Sequence, residues 1–140
     1  MGIFDFLKKG SVPPPAAAQF SKKVAGHAKV VGDKRAQAYD RSEAIRLLAE
    51  MQTAEAAEAL LKRFTFAIDP SITDQEEKEA AFDAIVKVGE PVVPAILAFC
   101  AKAEVLTWPL RMLQAILSAD DYKKELLELA ESFDTEYSRN

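Results

Sequence analysis

Apolar residues recur along most of this chain at intervals of three and four, the spacing of one face of an α-helix. Ala44, Leu47, Leu48 and Met51 form the first clear stripe, and Ala57, Leu60, Leu61 and Phe64 the second. Ala81, Phe82, Ile85 and Val88 make a third, and Val93, Ile96, Leu97 and Cys100 a fourth. Leu110, Leu113, Ile116 and Leu117 give a fifth, and Tyr122, Leu126, Leu129 and Phe133 a sixth. Six helices are predicted, and the residues between the stripes punctuate them. Asp40-Arg41-Ser42-Glu43 reads as a capping box with Asp40 as N-cap. Gln52-Thr53 breaks the first helix, and Thr53 caps the second. Pro70 prevents a helix from running through the loop at 66–72. Thr73 or Asp74 caps the third helix. Gln75, Glu76, Glu77 and Glu79 fill its first turns, where the positive end of the helix dipole favours acids. Gly89 is a C′ stop. Pro91 opens the fourth helix where a missing N–H costs nothing, and Pro94 is tolerated in the first turn. Thr107-Trp108-Pro109 opens the fifth, and Ser118-Ala119-Asp120-Asp121 caps the sixth.

Only about two residues join the first two helices, so these must be antiparallel neighbours. The pattern then repeats. Leu48 and Met51 match Ile85 and Val88 at an offset of about 37, and Leu113 and Ile116 at about 65. Periods near 40 belong to HEAT-like arrays; the third unit is shorter because its loop is compressed. The predicted fold is all-α: a short right-handed α-solenoid of about three HEAT-like antiparallel helix pairs over residues 37–140, preceded by a short amphipathic N-terminal arm.

Specific segments agree with this. Gly89-Glu90-Pro91-Val92-Val93-Pro94-Ala95-Ile96 resembles the HEAT turn, in which Gly ends helix A and Pro starts helix B. The opening Met-Gly-Ile-Phe-Asp-Phe-Leu-Lys, Phe64-Thr65-Phe66, the run from Ile68 to Lys78, the run from Lys102 to Leu110, and Asp134-Thr135-Glu136-Tyr137 resemble a narrower group, bacterial HEAT-repeat proteins of unassigned function. Members of that group continue with more helices past the last motif. The resemblance therefore implies that this chain, which stops at Asn140, is a truncated or naturally short form. HEAT-type repeats also occur in bilin lyase relatives and DNA-repair glycosylases. The acidic body argues against DNA, and nothing marks a bilin pocket.

The stretch before the repeats has a different character. In residues 1–9, Ile3, Phe6 and Leu7 fall on one helical face and Phe4 widens it, until Gly10 stops the pattern. A helix so short is marginal in water by itself. Its surface is its own helical body, a partner protein or a lipid interface. A myristoylation signal is rejected, because Phe6 stands where that motif wants Ser or Thr. Pro13-Pro14-Pro15 and Ala16-Ala17-Ala18 make residues 10–19 an extended linker. Phe20, Val24, Ala28 and Val31 outline a leading helix within residues 20–36, weakened by Gly26. His27, the only histidine, reads as solvent-facing.

Composition narrows the function. The 140 residues suffice for one domain with a core, and 49% are hydrophobic. A net charge of −4 argues against a general nucleic-acid binder. Residues 1–35 hold seven Lys/Arg against Asp5 and Asp33, a net of +5, so the remainder carries −9. Such a basic segment binds an anionic partner or folds back on its own acidic body. One cysteine excludes an internal disulfide, and with no secretory signal visible a reducing cytoplasm is the expected location. No apolar run approaches the roughly 20 residues needed to span a bilayer.

Catalytic sets fail in turn. His27 lies outside the repeats, and Cys100 reads as a small buried hydrophobe. No glycine cluster cradles a phosphate, and the acids between Asp69 and Glu79 lack calcium-loop spacing. No catalytic, cofactor-binding or metal residue is nominated, and no cofactor is expected. The function expected is that of a non-catalytic protein–protein scaffold or adaptor. The alternatives are a peripheral membrane adaptor held by its arm, or an enzyme-associated protein of the lyase or chaperone kind. Candidate partner-binding residues are Ile3, Phe4, Phe6 and Leu7 in the arm, Phe66 and Ile68 in the long loop, Trp108 and Arg111 on the fifth helix, Leu127 on the sixth, and Tyr137. Phe66 and Trp108 have a competing role as plugs between helical layers, and Asp69 and Arg111 as polar partners that hold the loops. Leu127 lies off its helix's inner face, which points to a homo-oligomer or further repeats through the C-terminal helix.

Overall fold

The computed structural model describes residues 20–139, with side chains as far as Asp134. The arm at 1–9 with Ile3, Phe4, Phe6 and Leu7, the linker at 10–19, and the side chain of Tyr137 lie outside the described residues. Within them the chain is all-helical. Seven α-helices follow one another: α1 (Lys22–Val31), α2 (Ala38–Met51), α3 (Ala54–Leu60), α4 (Ser71–Val88), α5 (Val93–Lys102), α6 (Thr107–Ile116) and α7 (Ala119–Arg139). Single 3₁₀ turns, Leu61–Thr65 and Glu90–Val92, extend α3 and lead into α5.

The leading helix forms and buries Val24, Ala28 and Val31. It packs on both α2 and α3. α2 starts three residues earlier than expected, with Gln37 rather than Asp40 at its cap position. Gln37 is the extended residue at its start and accepts the Arg41 N–H at 3.0 Å. The capping box does not form, and Glu43 pairs forward with Arg46 instead. The physical reason is Arg41. Its guanidinium turns inward and donates to the carbonyls of Lys34 and Ala36, which fixes the turn before the helix.

α2 ends as expected. Gln52 takes a left-handed φ of 52°, and Thr53 Oγ1 accepts the Ala56 N–H at 3.1 Å. α4 also begins early, at Ser71 after a cis Asp69–Pro70 bond. The Pro70 carbonyl accepts the Thr73 and Asp74 N–H groups, so neither of those residues is the cap. Gly89 closes α4 at φ 82°, ψ −141°. The chain turns by 108° between α4 and the segment Glu90–Lys102. Ser118 caps α7 by accepting the Asp121 N–H at 3.1 Å.

α2 packs on α4 and α4 on α6, while α5 and α7 both pack on α6. The core these contacts enclose includes Leu48, Leu60, Ile85, Val92, Val93, Ile96, Leu97, Met112 and Leu113. α7 keeps most of its predicted face, with Tyr122 and Phe133 packed against the core, and departs from it at one position. Glu125 and Leu129 are buried, whereas Leu126 is 38% exposed. The principal packing partner of α7 is α6, and the strip it covers is centred on Glu125 and Leu129 rather than on Leu126. Among the described residues, no single helix is long and apolar enough to cross a membrane.

Candidate binding groove

An open groove of about 1390 Å³ runs between α1, α3 with its 3₁₀ extension, α5 and the start of α6. Aromatic rings line it from several elements: Phe20, Phe64, Phe66, Phe99 and Trp108. Between the rings lie small or rigid residues, Ala54, Pro91, Pro94, Ala95 and Ala98. Charges of both signs complete the lining: Lys29, Lys62, Lys78 and Lys102 with Glu58 and Glu104.

α5 explains why this surface is apolar. One face of it, Val93, Ile96, Leu97 and Cys100, is buried in the core. Ala95, Ala98, Phe99 and Lys102 form a second stripe at the same helical spacing, half-buried to exposed, and this stripe lines the groove. A helix apolar on two sides has one side left over after its core is made.

Trp108 is held from three directions. Its ring lies 5.5 Å from Phe64 and 5.7 Å, edge-on, from Phe82. The Arg111 guanidinium stacks over it at 4.5 Å and over Phe82 at 5.2 Å, a cation–π arrangement. Trp108 thus plugs the junction of α3, α4 and α6 while still lining the groove. Arg111 supports it from behind.

Phe66 is placed by a buried ion cluster that sequence patterns did not reveal. Arg63 is fully enclosed and stacks on the Phe66 ring at 4.4 Å while donating to its carbonyl at 3.0 Å. The same guanidinium donates to Glu77 and Asp74, both at 2.7 Å. Glu77 also accepts from Arg41 at 2.9 Å. Asp74 accepts the Ile68 N–H at 3.2 Å and Lys78 at 2.9 Å. Burial disfavours the Asp74 carboxylate, but bonds from Arg63, Lys78 and Ile68 outweigh it and hold its pKa below the ordinary aspartate value. Asp69, expected to hold this loop, is exposed. Asp74 performs that role from inside the first turn of α4.

At the opposite lip, the Glu55 carboxylate accepts both the N–H and the hydroxyl of Ser21, at 2.8 and 2.9 Å. This fixes the chain where Phe20 enters the groove. Glu58 lies beside Glu55. Burial and then the charge of Glu55 push its pKa up, against the pull of Lys62.

The groove therefore unites Phe66 and Trp108. Ile68 is half-buried, and Leu127 is 57% exposed on α7; neither lines it. Phe20, expected only as a face residue of the leading helix, and Phe99, Ala95 and Ala98 are groove residues that the sequence does not single out, although the second stripe of α5 is legible in it. Among the described residues no group of three or more His, Cys, Asp or Glu side chains is placed to hold a metal ion. No family model, curated protein or solved structure matches this chain.

Proposed function

We propose that this chain is a non-catalytic interaction module, a scaffold or adaptor of stacked HEAT-like helix pairs, whose groove receives an apolar, aromatic-bearing segment of another protein. The second apolar stripe of α5 carries the reading. Ala95, Ala98 and Phe99 lie off the fully buried face of α5, Ala95 and Phe99 packing only partly against the core, and all three sit in one concavity with four further aromatic rings. A concavity lined by aromatic and small apolar residues together with charged ones suits helix-in-groove recognition, in which residues at helical spacing insert between rings. The successive contacts of α2 with α4 and α4 with α6, and the Gly89–Pro91 turn, support stacking of the HEAT kind. A localisation in the cytoplasm fits the single buried cysteine, Cys100.

The test is a charge planted in the groove. Ala98→Glu in the full chain alters the groove without touching the core face, and Ala130→Glu on exposed α7 serves as the matched control. Cross-linked partners are captured from host lysate with each. Species lost with Ala98→Glu and kept with Ala130→Glu support the groove as the binding surface. An unchanged set of partners with both variants overturns it.

A further inference from the structure

The polypeptide that precedes α1 departs from the groove itself. Phe20 lines the groove, and Ser21 is clamped at its lip by two hydrogen bonds to Glu55. Ten residues before Phe20, at Gly10, ends a segment bearing Ile3, Phe4, Phe6 and Leu7, followed by Lys8 and Lys9. We propose that residues 1–9 of the same chain occupy this groove and compete there with the partner. The inference rests on the partner-binding reading above.

Reach permits it. The ten residues from Gly10 to Gln19, if fully extended as polyproline II, would span about 31 Å at about 3.1 Å each. A domain of this length has a radius of gyration of about 14 Å. The tether therefore reaches any part of a groove that opens at its own anchor. Size permits it as well. Nine residues in a helix make a cylinder about 13.5 Å long and about 10 Å across, roughly 1100 Å³, against a groove of about 1390 Å³.

Tethering favours occupancy. A short linker holds its end group at an effective concentration in the millimolar range, so a segment with only millimolar affinity is about half bound. Charge agrees too. Glu55 and Glu58 repel one another beside the anchor, and Lys8 and Lys9 bring two cations to that acid pair. Asp5, between Phe4 and Phe6, complements Lys29, Lys62 and Lys102.

Trp108 is the only tryptophan in the chain and lines the groove, so its emission reports occupancy directly. The full chain is compared with its Phe4→Asp/Phe6→Asp double variant. Release of the segment is expected to shift Trp108 emission to the red and to increase its quenching by iodide. A synthetic peptide of residues 1–9, added to the variant, is expected to reverse both saturably. Where nine-tenths of the groove is self-occupied, release also tightens partner binding about tenfold. Identical emission and quenching in the two proteins overturn the proposal. So does co-sedimentation of the full chain with phosphatidylserine vesicles that depends on Phe4 and Phe6 while Trp108 quenching does not, since the segment then serves a lipid surface. Loss of cross-linked partners with Ala98→Glu alongside an unmoved Trp108 sinks self-docking and keeps partner binding. Partners that survive Ala98→Glu sink the partner reading instead.

Discussion

Arg63 and Glu77 meet at 2.7 Å in a place neither shares with solvent: the two side chains are 0% and 3% exposed. The same Glu77 oxygen accepts from Arg41 on α2. One carboxylate on α4 thus ties α2 to the 3₁₀ turn after α3, whose Arg63 in turn holds Asp74 and the carbonyl of Phe66. Withdrawing such charges from water is costly, and the cluster holds only because its members are bonded to one another and to backbone carbonyls.

Glu77→Leu is expected to leave two guanidiniums buried without their carboxylate. The loss should be about 3–5 kcal/mol, a large share of the roughly 5–15 kcal/mol that stabilises a typical domain. Urea denaturation checks this through a lower midpoint. Glu77→Gln, which keeps the shape and one acceptor, should lose less. A midpoint unchanged in Glu77→Leu would show that the cluster contributes nothing net.

This cluster also marks where the sequence stopped being readable. Glu77 stands four residues before Ala81 and eight before Ile85, on the same buried face of α4. Taken alone, it looked like one more acid serving a helix N-terminus. Its partners lie 36 and 14 residues away in the chain, and no periodicity links an arginine to a glutamate at those distances. Arg41 likewise precedes Ala44 and Ile45 on the core face of α2, and reading it as part of a capping box misplaced the helix start. The apolar stripes were legible because 3.6-residue periodicity is local: the face of α5 is buried as expected, whereas α2 also buries Ile45 and α6 also buries Met112, with Leu47, Leu110 and Ile116 only half-buried. Half of the groove was hidden for the opposite reason. Its lining comes from α1, α3 with its 3₁₀ turn, α4, α5 and α6, brought together by tertiary packing, and only Phe66 and Trp108 stood out as single residues.

Two carboxylates should respond to pH in opposite senses. Asp74 has its pKa lowered in the fold, so its stabilisation is present above the unfolded value near 3.8 and fades as pH falls through the folded one. Asp74→Asn should be less stable than wild type at pH 7, with the gap closing only in strong acid. Glu58 has its pKa raised above 4.5. Its ionised form opposes folding, so wild type should lose ground to Glu58→Gln as pH rises through the folded value. Thermal melts of all three proteins from pH 3 to 7 check both signs. Curves for the two variants that diverge from wild type in the same direction would contradict the assignment.

Cys100 is wholly buried, and burial pushes its thiol up to about 11. The thiolate is the reactive form, and little of it exists at pH 8. A disulfide reagent should label the native protein slowly, at a rate set by opening of α5 against α6, and label it at once in urea. Fast stoichiometric labelling of the folded chain would show that this helix lies open.

Gly89 sets the bend on which the groove depends, because the 108° turn between α4 and the segment that contains α5 aims the second apolar stripe of α5. Its φ of 82° with ψ of −141° lies in a region held essentially by glycine alone. Space is not the constraint: an added Cβ would come no nearer than 4.0 Å to the Val86 carbonyl. The penalty for Gly89→Ala is therefore backbone strain, about 1–3 kcal/mol, and for a chain of this length each kcal/mol lowers Tm by about 4 °C. Asparagine relieves strain only where ψ is near +45°, in the left-handed helical region. Gly89→Asn should consequently melt as low as Gly89→Ala. Rescue by asparagine would mean that the turn is an ordinary left-handed cap, with α5 aimed differently and the groove differently shaped.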